Sequence, residues 1–175
     1  MPNWCNNTLT ISHPDKKKME EVYSLLCRIE DKDDENETFF GFFMPEPDHE
    51  EGPENATPAW YWWRVNNWGT KWDATIFNYE QVDDHTISVF FDTAWAPPIG
   101  VYDTMVEDLG FSVEARYFEP GMCFVGTYED GVDDYYEYSN QSATSVRPYI
   151  GEDNDDYWGI SVMMEEWEEE EAAHG

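Results

Sequence analysis

Basic residues are what this chain has least of. Nine lysines and arginines stand against 39 aspartates and glutamates, which leaves a formal net charge of −30. A surface of that sign repels phosphate backbones and anionic headgroups, so direct nucleic-acid binding and membrane binding both start disfavoured. Cysteine is scarce as well. Cys5, Cys27 and Cys123 are odd in number, widely spaced and without a Cys-x-x-Cys pair, which argues against a disulfide framework or zinc site and predicts buried free thiols. No apolar run approaches the roughly 18 residues of a membrane span. Met1-Pro2-Asn3-Trp4 has neither the basic nor the apolar region of a signal peptide, so the expected compartment is the cytoplasm, or the host cytoplasm if the chain is phage-encoded.

Catalytic signatures are missing too. The sequence holds no Gly-x-Ser-x-Gly, no Gly-rich phosphate loop and no His-Glu-x-x-His, and its four histidines are scattered, so acyl, phosphoryl and zinc chemistry lack their parts. Asp31-x-Asp33-x-Glu35 resembles the start of a calcium loop. It then places Asn36 where that loop needs glycine and Phe42 where it needs glutamate. The expectation is a protein that is not an enzyme and takes neither metal nor cofactor.

What is abundant is aromatic and apolar material. Aromatics make up 17% of the 175 residues and hydrophobics 41%, enough for the core of one domain in spite of the charge. The acid is unevenly spread. Residues 30–54 carry eleven acidic groups and one basic group, and residues 129–175 carry fifteen and one, whereas residues 55–128 carry ten and three. Two acidic blocks therefore decorate a milder core.

Alternation over Thr8-Leu9-Thr10-Ile11-Ser12 predicts a first strand within Asn3 to Ser12. Met19, Val22, Tyr23, Leu25, Leu26 and Ile29 then recur at helical spacing. The acidic run from Asp31 and the prolines Pro45, Pro47, Pro53 and Pro58 read as a long loop, with a short helix over 60–68 halted by Gly69. Ala74 to Glu80 and Thr86 to Asp92 read as a hairpin joined by residues 81–85. Ile99, Tyr102, Met105, Val106 and Leu109 give a second helix closed by Gly110, and Phe111 to Phe118, Met122 to Tyr128 and Tyr135 to Tyr138 read as strands. The order β-α-β-β-α-β predicts an α+β fold: a ferredoxin-like split β-α-β sandwich, an antiparallel sheet with two helices on one face. In domain terms this is residues 1–150, with an acidic Pro-rich insertion at 30–59, followed by an acidic C-terminal extension over 151–175.

Three motifs stand in order along residues 1–95: Met1-Pro2-Asn3-Trp4-Cys5-Asn6-Asn7-Thr8-Leu9, Asn67-Trp68-Gly69-Thr70-Lys71-Trp72-Asp73 and Phe91-Asp92-Thr93-Ala94-Trp95. With Phe118-Glu119-Pro120-Gly121 and Phe124-Val125-Gly126 they make the chain resemble the YubB ferredoxin-like family. That family occurs in plasmids, phages and bacteria and has no settled biochemical function. The resemblance implies the fold and a mobile-element origin, and offers no catalytic residue to carry over.

Two functional readings follow. In the first, the acid imitates nucleic acid and occupies the basic cleft of a host nucleic-acid-binding protein, inhibiting a defence or DNA/RNA-processing factor. The residues expected to stand in for phosphates are Asp31, Asp33, Asp34, Glu35 and Glu37, with Asp133, Asp134, Glu152, Asp153, Asp155 and Asp156. In the second, the charge serves only solubility or salt adaptation. A pocket formed by Asn67, Trp68, Lys71, Trp72, Asp73 and Trp95 then takes a small ligand or a protein.

Overall fold

Alternation along β1 (Trp4–Ser12) sends Cys5, Asn7, Leu9 and Ile11 inward and Asn6, Thr8 and Thr10 to the opposite side of the strand. In the computed structural model, which describes residues 3–32, 36–50, 52–53 and 55–175, this strand is central in a six-stranded sheet. α1 (Lys16–Asp31) starts where the Asp15 carboxylate accepts the Lys17 N–H and ends at Lys32 in the left-handed conformation. Its apolar stripe of Met19, Val22, Leu25 and Leu26 is buried. Next come α2 (Phe39–Phe43) and α3 (Ala59–Asn67), the hairpin β2 (Thr75–Asp83) and β3 (Thr86–Ala94), and α4 (Ile99–Glu107). β4 (Ser112–Glu119), β5 (Phe124–Glu129) and β6 (Val132–Glu137) form a meander, and α5 (Ala143–Ile150), α6 (Glu152–Trp158) and α7 (Ile160–His174) complete the chain.

The strands lie in the order β2-β3-β1-β4-β5-β6, and every neighbouring pair is antiparallel. Leu9 and Ile11 with Ile87, Val89, Phe91, Val113 and Ala115 form one face of the sheet, on which α1, α2 and α4 build the main core. Residues of opposite parity form the second face. There the pairings Phe90–Thr8, Thr8–Arg116, Arg116–Thr127 and Thr127–Asp134 run one row of side chains across five strands. Phe118 and Val125 on this face meet Val146, Ile150 and Ile160 from α5 and α7, giving a second, smaller core.

Several expectations change. The Pro-rich segment read as a loop contains α2, because Phe39, Phe40 and Phe43 are buried in the main core and their burial outweighs the turn-forming composition around them. The hairpin connection shrinks to Asp84-His85, since β2 runs on to Asp83 through register shifts. β6 begins earlier, at Val132. Beyond residue 142 the chain folds into three helices that cover part of the second face. All three cysteines are free; Cys5 is buried, and Cys27 and Cys123 are half-buried.

Candidate functional site

The Asn67 to Asp73 segment is turned onto its own surroundings. Trp68 is 1% exposed and its indole N–H donates to the Met44 carbonyl at 3.0 Å. The Asn67 amide donates to the Trp63 carbonyl. Asp73 accepts from the backbone N–H groups of Phe40, Gly41 and Ala74 and so caps α2 across the chain. Burial pushes its carboxyl above the ordinary range, although these hydrogen bonds oppose the shift. Lys71 sits 4.2 Å above the Trp72 ring, and Trp72 leans on Trp4. Trp95 adopts a positive φ of 71°, held by its N–H on the Asn3 carbonyl, and stays 44% exposed. Trp68 and Asp73 are thus scaffolding, while Trp4, Trp72 and Trp95 leave half-exposed rings at one end of the sheet.

The acidic residues divide by place. Asp31 closes α1 and is exposed. Asp33, Asp34 and Glu35 lie outside the described residues. Glu37 takes two hydrogen bonds from Arg28 at 2.6 and 2.7 Å. Asp133, on the edge strand, accepts the Tyr117 hydroxyl at 2.6 Å. Asp155 is 3% exposed, so it presents little to a partner; it accepts from the Ser161 N–H and hydroxyl and pairs with Arg147. Burial alone would raise its carboxyl, but Ser161 and Arg147 prevail and hold it low. Asp156 shares Arg147, and Asp134, Glu152 and Asp153 border a groove. Asp31 at the end of α1 and Glu37 just before α2 belong to elements packed on the main-core face, whereas α6 and α7 carry the helical part of the second block on the opposite face.

That groove, about 670 Å³, lies between the second sheet face and the start of α6. Thr8, Thr10, Arg116 and Thr127 form its floor, and Asn154 and Tyr157 its wall. Glu114, Glu129, Asp134, Glu152 and Asp153 surround it. The Arg116 guanidinium stacks 5.0 Å from the Tyr157 ring centroid, and the Tyr157 hydroxyl meets the Thr8 hydroxyl at 2.7 Å. Sequence reasoning missed Thr8, Arg116, Asn154 and Tyr157. The available signal was the alternation of β4, which turns Val113, Ala115 and Tyr117 inward and leaves Glu114 and Arg116 on the other face. Among the described residues no three His, Cys, Asp or Glu side chains are grouped to hold a metal ion, and no helix is long and apolar enough to cross a membrane.

No family model and no curated protein matches the chain. Among solved structures it is similar to the crystal structure of protein api92 from Yersinia pseudotuberculosis, of family DUF1281, at 18% identity and a TM-score of 0.37. The likeness covers 49% of this chain and 32% of that one, so the chain spans about a third of its length. At that level it carries no weight for fold or function.

Proposed function

We propose that this is a non-catalytic binding domain whose partner is a basic protein, and that it is a ferredoxin-like domain of the YubB type, carried by a mobile element. The succession β1-α1-β2-β3-α4-β4 with strands side by side as β2-β3-β1-β4 supports the split β-α-β reading, with β5, β6 and α5 to α7 as additions beyond β4.

One observation carries the partner's charge. From Glu165 onward α7 is exposed at every residue. Glu165 and Glu169, and Glu166 and Glu170, stand one turn apart, each pair repelling by roughly 0.2–0.5 kcal/mol. No lysine or arginine among the described residues pairs with them. A cationic surface relieves that repulsion, and Trp167, 42% exposed among the glutamates, supplies an aromatic anchor.

Nucleic-acid-binding proteins present such surfaces, and a host defence or DNA/RNA-processing factor is the class of target a phage-type protein would inhibit. The imitation works through the C-terminal block alone, because Asp31 and Glu37, the first-block candidates among the described residues, go with α1 and α2 on the opposite face. Over the ~22 Å of a fifteen-residue helix a duplex carries about 13 charges. α6 and α7 together offer ten acids, with Asp155 and Asp156 already engaged by Arg147.

The half-exposed Trp4, Trp72 and Trp95, with the positive φ of Trp95, favour a second contact surface at the sheet's end. This is what remains of the Asn67 to Asp73 ligand reading. The test is affinity capture from host lysate at low salt, followed by release with duplex DNA and with salt. Retention of a nucleic-acid-binding protein that both release is expected; an eluate without basic proteins contradicts the proposal.

A further inference from the structure

The groove over the second sheet face holds an arginine that has no carboxylate partner among the described residues. Arg28, Arg64 and Arg147 meet Glu37, Glu46 and the Asp155/Asp156 pair. Arg116 meets none among the described residues, although five carboxylates border the same groove. Its Nη1 is shielded from solvent and has no hydrogen-bond partner among the described residues, while Tyr157, anchored on Thr8, stacks on the guanidinium. On the wall of the same groove Asn154, 6% exposed, donates Nδ2 to the Ile150 carbonyl and leaves its buried Oδ1 without a partner among the described residues. Buried polar atoms are seldom left so, which makes this pair a place where an added ligand completes the hydrogen bonding.

We propose that the groove is a peptide site which takes an extended basic segment of the partner, with one carboxylate of that segment seated on Arg116. This rests on the basic-partner reading and specifies its chemistry. A planar guanidinium holds a carboxylate through two parallel hydrogen bonds. A phosphate dianion entering instead would face the surrounding carboxylates with twice the charge, so the site selects a single negative charge flanked by positive ones. Lysines or arginines on either side of the carboxylate meet Glu114, Glu129, Asp134, Glu152 and Asp153. Asn154 Oδ1 accepts a main-chain N–H, and the hydroxyls of Thr10 and Thr127 donate or accept as the peptide requires. The volume of about 670 Å³ falls within the range of ligand pockets, roughly 300–1,000 Å³.

Two blocked peptides make the test, acetyl-Lys-Lys-Glu-Lys-Lys-amide and its glutamine counterpart, titrated into the full chain and followed by amide resonances. The expected result is about tenfold tighter binding of the glutamate peptide, with shifts at Thr8, Thr127 and Asn154. Arg116→Gln should abolish that preference. Should this variant fail to fold, Arg116→Lys, which keeps the charge but loses the fork, should reduce the preference several-fold. Equal affinity of the two peptides for the native chain, or a preference that survives these substitutions, overturns the site and leaves the basic-partner reading intact. Binding of neither peptide likewise overturns the site, whereas the basic-partner reading stands or falls with the lysate capture.

Discussion

Thr8 and Tyr157 lie 149 residues apart in sequence, and their hydroxyls meet at 2.7 Å. The contact ties α6 to the central strand and holds the Tyr157 ring over Arg116. Tyr157→Phe keeps the ring and removes the bond, so it should lower stability by about 1 kcal/mol in urea unfolding, with an unchanged slope. A loss well above that would mean the hydroxyl supports more than this strap.

Asp155 anchors the helical cap from inside. Its carboxyl is held low in the fold, so it contributes stability that is present above the ordinary aspartate range, near ~3.9, and is lost as pH falls through its lowered value. Asp155→Asn weakens the pairing with Arg147 and the capping of Ser161. It should cost about 1–3 kcal/mol at neutral pH, with a smaller penalty in acid, read from urea midpoints across pH.

Asp73 has the opposite sign. Burial raises its carboxyl in the fold, so its contribution is greatest below the ordinary aspartate range and declines as pH rises through the raised value. Asp73→Asn retains an acceptor for the N–H groups of α2 and cannot ionise. Its stability relative to the native chain should therefore improve as pH rises from about 4 to 7, measured by the same urea midpoints.

Much of the fold was legible because β1, α1, β3, α4 and β4 each bury one clean stripe, and periodicity reports burial directly. α2 was not legible: five residues give too short a window, and acid and proline surround it. Phe40 is nevertheless wholly buried against Trp68 and Phe91. Phe40→Ala should cost about 3–5 kcal/mol in chemical unfolding, whereas a loop residue would cost almost nothing.

α5 was concealed by Pro148 in its interior and α6 by the glycine before it and the acid it carries, while the run from Glu165 to Glu171, legible as a helix or a frayed tail, is the distal part of α7. Their apolar contacts, Val146, Ile150, Trp158, Ile160, Met163 and Met164, are few and spread over three elements. The groove was illegible for another reason. Glu114 and Arg116 look alike as outward positions of one strand, and only the strand order and the return of Tyr157 over Thr8 set Arg116 apart.

Partner recognition through the distal half of α7 is the central claim. Its most direct test is the salt dependence of affinity for the captured partner, measured for the native chain and for the variant with Glu165, Glu166, Glu169 and Glu170 all replaced by glutamine. The account predicts weaker binding by the variant at low salt and a shallower decline as salt rises, while both unfold at similar urea concentrations. Equal affinity and an equal salt slope for the two proteins would contradict it.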